Sequence, residues 1–153
     1  METKRLKLTT QVLLTIGALE FFGPILRDTN ASHLLNPEWV GHARFHLMWC
    51  LALWLCLGVF NLQLIWRRRP FDPSNLYLAL WLQGFNVLAF WGAAALGPLY
   101  TAQVFDSKIH VGVLNVNENI IAFCFFSLLW LASFFTLRRL DLRHQGRLQE
   151  AAS

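Results

Sequence analysis

The sequence predicts an all-α membrane protein: four transmembrane helices in an up-and-down bundle, with both termini cytoplasmic. Three observations predict it. Of 153 residues, 56% are hydrophobic and 14% charged, with a mean hydropathy of +0.42, whereas a soluble domain carries about 25% charged residues. Four apolar stretches, with helices expected at about 9–26, 37–66, 76–97 and 117–137, each come close to the roughly 20 residues that cross a bilayer. Charge is distributed one-sidedly. Lys4, Arg5 and Lys7 precede the first span, Arg67, Arg68 and Arg69 join the second to the third, and Arg138, Arg139, Arg143 and Arg147 follow the fourth, ten of the 13 basic residues. The positive-inside rule assigns that side to the cytoplasm. This topology also accounts for the pI of 9.3, so no nucleic-acid partner is expected.

The first span is expected to end at Gly23-Pro24, because proline lacks the amide hydrogen that continues a helix. ALEFFGPILRD offers no small-x-small cleavage site, so the span is read as retained rather than as a signal peptide. The second opens with Asn36 as cap, Pro37 at the first helical position and Glu38 at the positive dipole end. Residues 37–66 would extend about 45 Å at 1.5 Å each, more than the roughly 30 Å hydrocarbon core. Its first turns therefore stand in the outer interface, where Trp39 at one end and Trp66 at the other suit the headgroup layers. The third span carries Ala89, Ala93 and Gly97 at four-residue spacing, a small-residue stripe for close helix packing. The 98–116 connection, with Asp106, Lys108 and His110, is long enough to fold back as a lid. The fourth span opens at NVNENI and leads into a cytoplasmic tail, 138–153. No repeat or composition break interrupts residues 1–153, which form one domain. Cys50, Cys56 and Cys124 lie in apolar runs without a metal or redox spacing. Asn30-Ala31-Ser32 matches the glycosylation pattern.

Ionisable groups inside a span cost a few kcal/mol, roughly 2.5 to 3.5 at the centre, and mark candidate sites. Glu20 near the end of the first span, Glu38, His42, Arg44 and His46 at the start of the second, Gln83 and Asn86 in the third and Asn117, Glu118 and Asn119 at the start of the fourth all fall in the outer half of the bundle. Steps of four place Glu38, His42 and His46 on one helix face and Arg44 nearly opposite. His42 and His46 have the i,i+4 spacing that can hold one metal ion; alternatively one of them, His46 being the deeper, is an axial ligand of haem. Their structural alternative is contact with lipid phosphates. Glu20 and Asn86 equally suit interhelical hydrogen bonds, and Glu118 the dipole of the fourth helix.

The polar outer loop, EWVGHARFH at the start of the second span, LQGFNVLAFW in the third and the long loop before the fourth resemble the integral-membrane styrene oxide isomerases. Ala43-Arg44-Phe45-His46 is similar to that family's Ala-Arg-x-His, whose histidine is the axial haem ligand. The resemblance implies haem b on His46, a homo-oligomer with haem between subunits, and ferric iron acting as Lewis acid on an epoxide oxygen. The chain departs from the family at Ala52, Gln83 and Trp91, which stand for an asparagine, an aspartate and a tyrosine, so the scaffold is carried over more fully than the chemistry.

Three function classes follow. The first is an isomerase acting on a lipophilic substrate from the bilayer, such as an epoxide, with haem or metal held by His46 and with His42 and Arg44 nearby. Glu118, Glu20, Asn86 and Gln83 would then handle protons or orient substrate. The second is a metal-free acid/base isomerase or cyclase of a terpenoid-like substrate, with Glu118 or His42 as acid and aromatic rings stabilising a cation. The third is a membrane accessory protein or transporter. A plasma (inner) or endoplasmic reticulum membrane is the expected location.

Overall fold

The computed structural model describes residues 2–67, 71–102, 104 and 117–152. The expected lid residues Asp106, Lys108 and His110, and the basic Arg68 and Arg69, lie outside the described residues. The chain is helical throughout its described elements: α1 (Glu2–Gly17), a 3₁₀ segment (Ala18–Phe21), α2 (Gly23–Asp28), α3 (Gly41–Trp66), α4 (Pro73–Leu96), a second 3₁₀ segment (Gly97–Tyr100) and α5 (Glu118–Ala152). Among the described residues four stretches, Thr3–Asp28, Gly41–Trp66, Pro73–Tyr100 and Glu118–Glu150, are long and apolar enough to cross a membrane. Successive stretches run antiparallel. Near the termini Gln11 of α1 meets Ile65 at the end of α3 and Lys7 stands 3.9 Å over the Phe71 ring, while at the far end Arg27 meets Glu118.

Several boundaries depart from those read in the sequence, each for a local reason. Pro24 does not end the first helix. It occupies the first turn of α2, where its missing amide hydrogen costs nothing and its fixed φ suits the helix. The interruption lies earlier, at Ala18–Phe21, where the tighter winding brings Ala18 and Phe21, three residues apart, onto one side; both are buried together with Glu20. Asn36 caps a turn rather than α3. Its side chain accepts from the Glu38 amide at 2.9 Å and its carbonyl from the Trp39 amide at 3.3 Å, a local bonding pattern that competes with helix. Val40 is extended, with ψ 143°, and α3 starts only at Gly41. At the other end, α5 continues through the expected tail to Ala152, 35 residues or about 52 Å.

The apolar core lies toward the termini, with Leu14, Leu64, Ile65, Leu76, Leu80, Leu137 and Leu140 buried around Ala79. Buried amides join the helices within it. Gln83 Nε2 donates to the Leu14 carbonyl at 2.8 Å and to Asn61 Oδ1 at 2.9 Å, Asn61 Nδ2 donates to the Ala79 carbonyl at 2.9 Å, and Gln11 Nε2 to the Ile65 carbonyl at 2.7 Å. The sequence reading placed its candidate polar groups, Gln83 among them, in the outer half, yet Gln83, Gln11 and Asn61 join the helices at this core. All three are bonded to backbone carbonyls, as buried polar groups must be. Outside this core, large apolar side chains such as Leu26, Phe45, Leu88 and Leu128 stand more than half exposed.

Candidate functional site

At the end away from the termini, residues of α2, α3, α4 and α5 line a cavity of about 540 Å³. Its wall is largely apolar: Trp54 from α3, Phe90 and the small Ala89, Ala93 and Ala94 from α4, and Phe123 from α5. The Phe90 and Phe123 rings stack face to face, with centroids 3.7 Å apart. The four-residue spacing of Ala89, Ala93 and Gly97 seen in the sequence lies along this wall, so the small side chains leave open space here.

Polar groups enter the wall at a few points. Asn86 comes from α4, Asn119 from the first turn of α5, and Arg27, Asp28 and His33 from the end of α2 and the loop after it. Arg27 donates to Glu118 Oε1 at 3.0 Å, which joins α2 to the start of α5. Asn117 sets that start, its Oδ1 accepting from the Asn119 amide at 2.7 Å while its Nδ2 donates to the Val104 carbonyl at 2.8 Å. His33 Nδ1 is 2.8 Å from Ser32 Oγ and 3.9 Å from Asp28 Oδ1, the second being too long for a hydrogen bond.

Behind Asn86 lies Glu20, only 3% exposed. The Asn86 side chain adjoins its carboxyl, whereas the buried Oε1 has no hydrogen-bond partner among the described residues. Leaving such an oxygen unpaired costs about 1–3 kcal/mol, and it stands one residue away from a cavity wall. Of the residues expected to form the site, then, Asn86 lines the cavity, Glu20 adjoins Asn86 and Glu118, not itself in the wall, pairs with the lining Arg27. Gln83 is elsewhere, its amide nitrogen committed to Leu14 and Asn61.

The histidines of α3 lie apart from the cavity. His42 and His46 are both exposed, their Nε2 atoms are 3.0 Å apart, and Phe45 and Trp49 flank them. Arg44 is half-buried and does not line the cavity. Among the described residues no three His, Cys, Asp or Glu side chains gather as metal ligands. Haem iron on His46 would have porphyrin nitrogens in every position beside that imidazole. With the rings as they stand, His42 Nε2 is 3.0 Å from the His46 nitrogen that would hold the iron, which crowds that side of the imidazole, so the arrangement does not fit haem unless the His42 ring turns away.

Sequence reasoning passed over Arg27, Asp28, His33 and the buried Gln11 and Asn61. Arg27 carried a usable signal, being one of three basic residues off the side to which the charge rule assigns the rest. Asn61, inside the apolar run GVFNLQLIW, carried another. His33 carried none, because its place depends on how the loop after α2 folds. No protein-family model, curated protein or solved structure matches this chain.

Proposed function

We propose that the chain is a multi-pass membrane protein with cytoplasmic termini, and that its cavity binds a small lipophilic substrate bearing an oxygen, which it isomerises by acid/base chemistry. The observation that carries this is Glu20: a buried carboxyl with one unpartnered oxygen, behind the asparagine that opens onto an apolar cavity. Apolar pockets with few convergent polar groups are the usual form of small-molecule sites. Asn86 and Asn119 would orient the substrate oxygen. Glu20, beside Asn86, would deliver a proton to it through a bridging water as a carbon–oxygen bond opens. A hydride shift to the cationic carbon and return of the hydroxyl proton to the carboxylate complete the rearrangement of an epoxide to a carbonyl compound, with no net gain or loss of atoms. Phe90, Phe123 and Trp54 would face the developing cation.

Asp28, His33, Asn86 and Asn119 line the cavity with Glu20 beside Asn86, whereas His42 and His46 of α3 do not line it, which favours the metal-free form of the chemistry. The test is to incubate the purified chain in nanodiscs with a panel of lipophilic epoxides and to look for products of unchanged mass by gas chromatography. Glu20→Gln is expected to lower turnover on the order of 100-fold or more, the usual worth of a positioned acid/base, with little effect on KM. Asn86→Ala should raise KM. Undiminished turnover in Glu20→Gln would exclude the proposed role of the carboxyl, and no turnover of any epoxide by the wild type would exclude the reaction.

A further inference from the structure

The histidine pair of α3 is not used by the cavity, and its geometry is specific. His42 and His46 are one helical turn apart, so their side chains leave the same face. Their rings are nearly perpendicular, at 86° with centroids 4.5 Å apart, and they meet through edge nitrogens, Nε2 to Nε2, at 3.0 Å. Both side chains are exposed, and among the described residues the two nitrogens have no hydrogen-bond partner besides each other.

We infer that His42 and His46 form a two-nitrogen site for a single divalent d-block ion on the outward face of α3. Two nitrogens bound to one ion at about 2.0–2.1 Å stand about 2.9 Å apart when they meet at a right angle and about 3.3 Å apart at the tetrahedral angle. The observed 3.0 Å falls between these, so the pair already has the nitrogen spacing of a two-ligand site. Imidazole nitrogens suit copper, nickel and zinc, and affinity for such sites is highest for Cu(II). The ion would keep its remaining positions for water, since no third protein ligand adjoins the pair among the described residues. An ion with open positions beside the first nitrogen accepts the second; haem iron, whose neighbouring positions are filled by porphyrin, does not.

Cu(II) added to the purified full chain in micelles, followed by electron paramagnetic resonance, tests the site. The expected spectrum shows two coordinated imidazole nitrogens. His42→Ala and His46→Ala should each remove one nitrogen and weaken binding by more than the roughly 10-fold that losing even an outer partner of a ligand costs. His144→Ala should change nothing. These exposed positions allow folding to be checked by circular dichroism in the same samples. Failure of the wild type to bind Cu(II) would leave the pair as a plain hydrogen bond, and binding that survives both substitutions would put the ion elsewhere; either result overturns the site. So does a Soret band kept in His42→Ala and lost in His46→Ala, which would assign His46 to haem. Because neither histidine lines the cavity, these outcomes are independent of those for Glu20.

Discussion

Gln83 and Glu20 are both buried polar side chains in apolar surroundings, and their partners separate their roles. Gln83 uses its amide nitrogen to tie α4 to α1 through the Leu14 carbonyl and to α3 through Asn61. Interhelical bonds of this kind contribute about 0.6 kcal/mol on average and up to about 1.7 kcal/mol in membrane proteins. Gln83→Leu should therefore lower stability by about that amount in a detergent unfolding titration. Asn61→Leu should do the same, with the double variant losing less than the two together, since the substitutions share one bond. Gly17 belongs to the same joint, because a methyl group there would run into Gln83 Oε1. Glu20, by contrast, has an oxygen with no bond to lose, so Glu20→Gln should leave unfolding nearly unchanged while affecting turnover. The sequence marked both residues as candidates and could not separate them, since the distinction lies in which carbonyls a fold brings within 3 Å.

At the scale of elements, the short 3₁₀ segment and the close approach of α3 to it shape the site. A Cβ on Gly58 would stand 2.7 Å from Phe22 Cζ and 3.1 Å from Phe21 Cβ, so α3 packs against this segment only because residue 58 has no side chain. Gly58→Ala should cost about 1–3 kcal/mol, as overpacking does. Gly92→Ala, with nothing within 4 Å of the added carbon, should stabilise α4 by roughly 0.5–1 kcal/mol. Thermal unfolding of the two variants reads both signs. The start of α4 carries a pH dependence. Asp72 Oδ1 accepts from the Ser74 amide at 2.8 Å, and this bond to the ionised form holds the Asp72 carboxyl below the usual carboxylate range. A lowered native pKa means that the cap contributes fully above the unfolded value of about 3.9 and is lost as pH falls through the native one. Asp72→Ala should thus unfold at lower temperature than the wild type at pH 7, with the gap closing toward the acid limit.

At the scale of the whole molecule, large apolar side chains stand exposed on every helix, among them Leu8, Leu53, Leu78 and Phe125. A soluble monomer rarely shows contiguous apolar surface beyond a few hundred Å², whereas lipid accepts it, and a helix satisfies its own backbone polar groups. The cytoplasmic assignment of the termini predicts that a fluorescent protein fused after Ser153 folds and fluoresces in bacterial cells. Cysteine placed at Leu35, in a background lacking Cys50, Cys56 and Cys124, should react with an impermeant maleimide from outside. The reverse pattern would invert the bundle and put the cavity mouth on the cytoplasmic side.

Composition, the length of the apolar runs and the distribution of basic residues determined the class: the cost of unsatisfied backbone in an apolar solvent leaves few structures besides helices for such a chain. The i,i+4 spacing likewise determined that His42 and His46 share a face, since that depends on one helix alone. Whether that face looks into the bundle or away from it was a tertiary decision. So were the separation of the histidine pair from the cavity, the pairing of Arg27 with Glu118 across 91 positions and the placing of Asn86 between Glu20 and open space. Each depends on the rotation and closeness of neighbouring helices, set by contacts such as Gly58 on Phe22 and Gln83 on Asn61, and a residue's spacing along its own helix carries no record of what will pack against it.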